Sequence, residues 1–307
     1  MLTKGQLDML IDTHAHLYWD SYQDDFNDVI DRALKNGITS AINIGVDVET
    51  SQKAVDLKSD KISRASFSNQ KIKFYSSIGI HPHEALRFAS LIQGKFSDID
   101  VSIHQDIKKL EQIYQSDPKK VVAVGECGLD YLFSINDLHP TATLTSEQTK
   151  ELQRKLFQAQ IDLAKKLNLP LLVHCRDDRS KNHQNSEAWD EVINMTKDYF
   201  GIYHCYSGLP RTTNYALQTT NFLFSFAGNI TYPKNEYLRE AIRIIPIDRI
   251  VVETDCPFLP PQTNRGKRNE PSYIIETVQT IADIKGLPIE EVSDVTYQNT
   301  TSLFKLA

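Results

Sequence analysis

The sequence lacks several features that would assign it to other classes of protein. No apolar run approaches the ~20 residues that a membrane-spanning helix needs, and the first residues, MLTKGQLDML, lack the apolar stretch of a signal peptide. The four cysteines form no C-x-x-C pair, which excludes a zinc ribbon and a dithiol redox motif. We therefore expect a cytoplasmic protein with no membrane-bound part.

The chain also lacks an excess of positive charge. Its net charge of −6 argues against a protein that coats nucleic acid, because such proteins bind phosphates through many lysines and arginines. An enzyme that meets phosphates through bound cations remains compatible with this charge. The length of 307 residues, with 40% hydrophobic and 24% charged residues, suits one large α/β barrel or two ordinary globular domains.

Eight short runs rich in Val, Ile, Phe and Tyr, bounded by turn residues, are predicted to be β-strands. Helical patterns separate most of them, which indicates a parallel sheet covered on both faces. Eight such units predict an α/β fold, a (β/α)8 TIM barrel that spans residues 1–307 as a single domain. An open doubly wound sheet is the alternative, but no strand precedes a glycine-rich dinucleotide or phosphate loop. The predicted strands cover residues 9–16, 40–45, 73–80, 121–127, 170–175, 201–206, 222–228 and 249–255.

Three of the intervening segments have clear helical patterns. Residues 24–37 fit a helix stopped by Gly37, and residues 96–115 fit another within a long connection. The clearest runs from Thr145 to Leu167, where Thr145 and Gln148 match a capping box and Asn168 and Pro170 end the helix.

The stretch IDTHAH at residues 11–16 places two histidines two positions apart. On a strand His14 and His16 would point to the same side, as two ligands of one metal must. Taken alone, the pair is as compatible with ordinary histidines as with a metal site. Similar residues, however, recur where the other predicted strands end, and in a barrel those ends surround the active site. These residues are His81, Glu126, His174, His204 and Asp255.

Imidazoles and carboxylates together suit a divalent ion such as zinc, manganese or magnesium. The four histidines of strands one, five and six, with Glu126 and Asp255, are too many ligands for one tetrahedral site. They suit two ions ~3.5–4 Å apart with a bridging carboxylate. Such a pair activates a shared water and clamps the oxygens of a phosphate or carbonyl, so we predict metal-assisted hydrolysis.

Each cysteine directly follows one of these proposed ligands. On a strand, a ligand that points into the barrel leaves its successor pointing outwards, so the thiols should be small packed side chains. A four-cysteine zinc site is the alternative, and the alternation of the strands argues against it. The cysteines are Cys127, Cys175, Cys205 and Cys256.

The sequence resembles the TatD family of metal-dependent deoxyribonucleases, within the amidohydrolase-like barrels. The resemblance runs along the whole chain, and its most specific motifs are GECGLDY at 125–131 and ETDCPFLPP at 253–261, followed by RGKRNEP at 265–271. Weaker matches are IDTHAHL, SIGIHPH, LPLLVHCRD, YHCYSG and FSFAGNITYP. Some members lack the first H-x-H pair, whereas this chain has it, so the resemblance implies a complete two-metal site.

The resemblance also implies a role for each site residue. His14 and His16 would hold one metal with Asp255, Glu126 would bridge, and His174 and His204 would hold the second metal. His81 matches the histidine near the scissile phosphate, and Asp255 would be the general base for the bridging water.

Positively charged side chains near these residues are candidates for binding substrate. Arg176 follows His174 closely and can reach a phosphate as a fork donor. Arg265, Lys267 and Arg268 form a basic patch, for which the alternative is a solvated loop with Glu270 paired to one of the arginines.

Insertions distinguish the chain from the family pattern and bear on its substrate. They lie near 55–70, 87–118, 132–145 and 177–187, and three of them follow strands three, four and five at the C-terminal face. Residues 132–144 and 177–187 are predicted to be surface loops.

Three functions are compatible with these residues. The first is a 3′-5′ exonuclease that acts on single-stranded or frayed 3′ ends of DNA, with RNA as a further substrate. The second is hydrolysis of another ester or amide, such as an aminoacyl-tRNA ester or a small-molecule amide. The third is a metal-binding protein without catalysis. The basic loop beside a two-metal site favours the first.

Overall fold

A computed structural model describes residues 9–58, 71–85, 87, 96–132, 145–180 and 182–306. All eight predicted strands are confirmed within these residues, although several of their ends differ from the prediction. The strands are β1 Leu10–Ala15, β2 Ile38–Asn43, β3 Lys73–Ile78, β4 Val121–Asp130, β5 Leu171–Arg176, β6 Gly201–Tyr203, β7 Leu223–Phe226 and β8 Ile250–Val252.

The described ranges also contain nine α-helices, and the three predicted from the sequence are confirmed among them. No helix in these ranges is both long enough and apolar enough to cross a membrane. The helices are α1 Phe26–Lys35, α2 Val48–Asp56, α3 Phe96–Ser116, α4 Ser146–Leu167, α5 Glu187–Thr196, α6 Pro210–Thr219, α7 Glu236–Ile244, α8 Ile274–Lys285 and α9 Ile289–Phe304.

The strands follow one another in the sheet in chain order, from β1 to β8. This order, with helices between the strands, is that of a (β/α)8 TIM barrel, as predicted. Within this fold the chain divides into two compact units. The described residues of the first unit are 9–43, 56–58, 71–75 and 223–306. The second unit contains the other described residues between 44 and 222.

The first unit contains β7, β8, β1 and β2. Parallel ladders join β1 to β2 and β7 to β8. Strand β1 contacts β8 and the residues that follow it. The hydroxyl of Thr13 donates to the carbonyl of Val252 at 3.0 Å, and a β-bridge joins Ala15 to Cys256. Every residue of β1 is buried, so His14 on this strand is held in packed surroundings, and His16, just after the strand, is 3% exposed.

The second unit contains the end of β3 with β4, β5 and β6, joined by parallel ladders. Strands β4 and β5 approach closely at Gly128, whose φ of +139° is unfavourable for other residues. A Cβ there would lie 2.0 Å from the carbonyl oxygen of His174. This glycine therefore allows the continuation of β4 to Asp130, three residues beyond the predicted end.

Six strands end earlier than the sequence predicts, and the shortening matters most at β6 and β8. β6 ends at Tyr203 and β8 at Val252, so His204 and Asp255 lie just after their strands rather than on them. The backbone turns there, with a φ of +43° at Cys205 and +57° at Asp255. Strict strand alternation therefore does not apply to these residues.

The predicted insertions have different outcomes. The segment near 87–118 contains α3, and residues 177–186, except residue 181, carry no helix or strand, as expected for a loop. Most of the predicted loop 132–144 and of the insertion 55–70 lies outside the described residues.

The capping box that begins α4 is present. The hydroxyl of Thr145 accepts from the backbone N–H of Gln148 at 3.2 Å, and the side chain of Gln148 accepts from the N–H of Thr145 at 2.9 Å. The left-handed Asn168, with a φ of +53°, ends the helix.

Removal of this cap should destabilise the protein. We expect Thr145→Ala to lower the free energy of unfolding by about 1 kcal/mol, because it leaves a helix N–H without its acceptor. Thr145→Ser retains the hydroxyl and should stay near the wild type. Urea unfolding followed by circular dichroism measures both, and equal losses in the two variants would contradict this role.

Candidate metal centre

His14, His16 and Asp255 form a cluster in the first unit, called here the β1/β8 cluster. The Nε2 atoms of His14 and His16 lie 3.6 and 3.5 Å from Oδ1 of Asp255. The two histidines are 0 and 3% exposed, and the carboxylate of Asp255 is 16% exposed. Three ligand atoms thus converge in a nearly dry environment, as the sequence predicts for His14 and His16.

A buried carboxylate that the sequence analysis missed positions Asp255. Asp12 accepts from the backbone N–H of Thr254 at 3.0 Å and from its hydroxyl, and also from the N–H of His14. The N–H of Asp255 in turn donates to the carbonyl of His14 at 2.9 Å. Asp12 precedes His14 by two positions, so the alternation that singled out the two histidines was a signal for this residue as well.

Burial dominates the electrostatics of Asp12. It raises the pKa of this carboxyl to about 7, although the hydrogen bonds from Thr254 oppose the shift. The carboxyl therefore binds a proton more readily than an exposed aspartate does.

His81, Glu126, His174 and His204 form a second cluster, called here the β4/β5 cluster, in the second unit. One oxygen, Oε1 of Glu126, lies 3.0 Å from Nδ1 of His174, 3.5 Å from Nε2 of His81 and 3.6 Å from Nε2 of His204. Glu126 lies on β4 and donates its backbone N–H to the carbonyl of Gly45 at 3.0 Å. A single carboxylate thus organises three imidazoles.

Asp130, which the sequence analysis also missed, holds the outer side of this cluster. Its Oδ2 lies 3.3 Å from Nε2 of His174 and 2.9 Å from Nε2 of His83. Gln153 of α4 fixes the backbone of Asp130 through two hydrogen bonds of 2.8 and 2.9 Å. Asp130 ends the GECGLD run of β4, but only the long-range contact with α4 and β5 reveals its role.

The pKa values of two neighbouring imidazoles in this cluster are shifted in opposite directions. Burial alone would lower the pKa of His174, but its bonds to Asp130 and Glu126 outweigh burial and raise the pKa to about 9. Burial dominates at His81 and lowers its pKa to about 3. At pH 7 His81 is therefore neutral, whereas the His174 ring holds a proton between the two carboxylates when no cation is bound.

The donor atoms of both clusters fit divalent metal ions. Zinc bonds to nitrogen and oxygen of about 2.0–2.2 Å separate neighbouring tetrahedral ligand atoms by about 3.4 Å. The separations of 3.5 and 3.6 Å in the β1/β8 cluster are close to this value and too long for good hydrogen bonds. Asp130 behind His174 is the carboxylate–histidine arrangement that orients a metal-binding imidazole.

Comparison with known proteins agrees with this chemistry. The family model described as TatD related DNase matches residues 11–305. The chain belongs to the TatD family of metal-dependent hydrolases. The metal-dependent hydrolase YabD of Bacillus subtilis is 33% identical over 303 residues, which cover 97% of this chain and 100% of the relative.

Two further similar proteins extend the comparison. A Pantoea vagans protein named 3′-5′ ssDNA/RNA exonuclease TatD is 27% identical, over 97% of this chain and 100% of its own. The crystal structure of the TatD homologue YjjV of Escherichia coli shares the fold, with a TM-score of 0.74 at 23% identity, over 98% of this chain and 100% of its own.

The three predicted substrate-binding arginines differ in their surroundings. Arg176 is exposed at the end of β5, two residues after His174. Arg265 is exposed and its guanidinium lies 4.6 Å from the centre of the Tyr232 ring. Arg268 forms two hydrogen bonds of 2.9 and 2.6 Å with Asp25, which gives it a structural partner. Substrate binding by these arginines stays a prediction.

Glu270 does not pair with the arginines of its own loop. It binds Arg32 of α1 through two hydrogen bonds of 2.8 and 2.6 Å. The suggested pairing within the basic patch is therefore wrong, because Glu270 is 3% exposed and faces α1.

The cysteines behave as packed side chains. Cys127, Cys175 and Cys256 are buried, and burial raises the pKa of each thiol. Cys205 is half-buried. Within the described residues, the side chains that could hold a metal are histidines and carboxylates, and none is a cysteine.

The pKa shifts of the β4/β5 cluster predict how the metal-free protein titrates. After treatment with a chelator, His174 should lose its proton near pH 9, whereas His81 should stay neutral down to about pH 3. A folded pKa above the unfolded value of 6.5 stabilises the protein below pH 6.5, and this contribution is lost as the pH rises through about 9. NMR titration of the histidine Cε1–H signals measures both values.

Asp130→Asn provides the comparison for this titration. It removes one of the two carboxylates that raise the pKa of His174, so the pKa should fall and the loss of stability above pH 6.5 should shrink. A wild-type His174 that titrates below 6.5 would contradict this account of the cluster.

Proposed function

We propose that this protein is a 3′-5′ exodeoxyribonuclease that hydrolyses phosphodiester bonds with two divalent metal ions. The observation that carries the proposal is the convergence of buried imidazoles and carboxylates in the β1/β8 and β4/β5 clusters of a TatD-family hydrolase. The exonuclease named in Pantoea vagans supports a nucleic-acid substrate, DNA first and RNA as a further class.

Each cluster is proposed to hold one ion. His14, His16 and Asp255 would hold the first, and His174 and His204 the second. The proposal that Glu126 serves both ions rests on the family resemblance. Bound magnesium, manganese or zinc would lower the pKa of a water molecule and neutralise charge on a phosphate.

The chain's own residues would supply the proton transfer. Asp255 is proposed to accept the proton of the attacking water, because its carboxylate is 16% exposed and can meet solvent, unlike the buried His14 and His16. The φ of +57° at Asp255 is costly for this residue, and such backbone conformations concentrate at functional sites.

His81 and Arg176 are proposed to bind the phosphate. His81 is neutral at pH 7, so it would offer an N–H as a hydrogen-bond donor rather than a charge. Arg176 is exposed and follows His174 of the β4/β5 cluster by two residues. Its guanidinium can donate two parallel hydrogen bonds to phosphate oxygens.

The burial of the ligands supports action at a chain end. His14, His16, Glu126 and His204 are 0, 3, 5 and 4% exposed. A phosphate in the middle of a duplex lies on a helix that is too wide to enter the site, so it would not reach such ligands. A frayed or single-stranded 3′ end can enter.

The protein should therefore bind two divalent ions per chain. His14→Ala and His204→Ala should each lower the stoichiometry from two to one, since each removes a ligand from a different cluster. Metal analysis of dialysed, metal-loaded protein measures this stoichiometry. His104→Ala, at an exposed position on α3, is the control and should retain both ions.

A single tight site that survives His14→Ala would contradict the assignment of one ion to each cluster. Glu126→Ala should have the largest effect on metal binding, because its carboxylate approaches three histidines.

The cleavage pattern tests the proposed activity. With manganese, magnesium or zinc, a single strand labelled at its 5′ end should give a ladder that shortens from the 3′ end, and a circular single strand of the same sequence should resist digestion. The reason is that only a chain end reaches the buried ligands. Gel electrophoresis of both substrates at equal enzyme concentration measures the difference.

Two outcomes would replace the proposal. Equal cleavage of circles and linear strands would make the protein an endonuclease. Hydrolysis of a small ester or amide, with no cleavage of nucleic acid under any metal, would favour the second function considered from the sequence.

A further inference from the structure

Aromatic side chains surround the metal-ligand candidate His16 in the first unit. The ring of Trp19 lies 5.7 Å from the ring of His16, and the ring of Phe258 lies 6.2 Å from it. Trp19 and Phe258 are perpendicular, with ring centres 5.0 Å apart. This Trp19/Phe258 pair forms an aromatic corner directly beside the β1/β8 cluster.

The corner is accessible to a ligand. Phe258, three residues after the candidate ligand Asp255, is 44% exposed. Trp19 is half-buried and lines a cavity of about 710 Å³. Cavities of this size accommodate small organic ligands. Besides Trp19, the lining includes Tyr22, Phe26, Asp56 and Lys58.

The wall of this cavity is firmly held. Tyr22 is 1% exposed, and its hydroxyl donates to the carbonyl of Asn269 at 2.6 Å. The guanidinium of Arg268 lies 4.4 Å from the centre of the Tyr22 ring, and Asp25 holds that guanidinium in place. Arg268 of the basic loop thus supports an aromatic wall of the cavity.

The charges of the lining indicate which kind of ligand fits. Asp56 and Lys58 contribute one charge of each sign, so the cavity does not select an anion or a cation. Aromatic walls favour a flat, uncharged ring that stacks on one side chain and contacts the edge of another. A nucleobase has this shape, and stacking on aromatic residues accepts every base.

We propose that the Trp19/Phe258 pair and the adjoining cavity bind the base of the 3′-terminal nucleotide. This inference rests on the proposed exonuclease function and names the part of the substrate that the first unit recognises. His16 and Asp255 would face the phosphate side of that nucleotide, while its base stacks in the aromatic corner. Because every base has a π face, stacking would let the chain end bind without sequence preference.

A 3′-terminal abasic residue tests the stacking. Two oligonucleotides identical except for a terminal thymidine or a terminal tetrahydrofuran abasic residue are compared by kcat/KM for removal of the last nucleotide. We expect the wild type to prefer the base by about 10-fold or more, the equivalent of about 1.4 kcal/mol. Phe258→Ala and Trp19→Ala should bring this ratio close to 1.

Three further variants separate stacking from simple packing. Phe258→Leu retains an apolar side chain without a π face and should lose most of the preference, whereas Phe258→Tyr should keep it. Tyr215→Ala on α6, an aromatic substitution in the other unit, should leave the ratio at the wild-type value. Equal ratios in Phe258→Leu and the wild type would overturn stacking as the cause.

Tryptophan fluorescence gives a readout that needs no hydrolysis. The chain has two tryptophans, and Trp189 is fully buried, so Trp19 should be the one that an oligonucleotide end quenches. With metal-loaded protein and a phosphorothioate at the last linkage to slow cleavage, the base-containing end should quench at lower concentration than the abasic end, and Trp19→Phe should abolish the signal.

The outcomes distinguish this inference from the proposed function. Removal of both ends at equal rates, with equal quenching, would overturn the base site and leave the exonuclease intact. Preferential quenching by the base-containing end without hydrolysis under any metal would support the base site and overturn the exonuclease.

Discussion

The hydrogen bonds of the Asp12 carboxylate fix the geometry of the β1/β8 cluster. Asp12 binds both the N–H and the hydroxyl of Thr254, which joins β1 to the segment that follows β8. Asp255 is the next residue, and its N–H is bound by the carbonyl of His14. His14 and Asp255, 241 positions apart in the chain, are thus brought together because the buried carboxylate of Asp12 requires hydrogen-bond donors. Both neighbours of Asp255 are held, because Thr254 bonds to Asp12 and the carbonyl of Cys256 accepts from the N–H of His16 at 2.9 Å.

Asp130 performs the corresponding task in the second unit. It fixes His174 and His83 on one side and is fixed through its backbone by Gln153 on the other. Helix α4, whose start is set by the Thr145 cap, therefore carries a side chain that determines where β4 places its carboxylates. A change in the helix would reach the imidazoles through this amide, since Gln153 is 1% exposed and bonds both the N–H and the C=O of Asp130.

The sequence was sufficient for the strands and for most ligand candidates because those features are local. Each strand is a short apolar run, and each ligand candidate lies within a few residues of a strand end. It did not reveal Asp130 or the partners of Arg268 and Glu270, because these depend on pairs separated by tens to hundreds of residues. Nor did it find where β6 and β8 end, since the turns at Cys205 and Asp255 use φ values that these residue types rarely adopt.

The buried carboxylates also determine the order in which the site can work. Glu126 and Asp130 are buried in the second unit of a chain whose net charge is −6, so the β4/β5 cluster attracts cations and repels phosphate. In the metal-free protein these carboxylates raise the pKa of His174, so its imidazole holds a proton at pH 7. His174 would have to lose that proton to act as a metal ligand, and the positive charge of a bound ion would then favour an anion. In the proposed exonuclease, the residues that repel a phosphate from the empty site would therefore make phosphate binding depend on the metal.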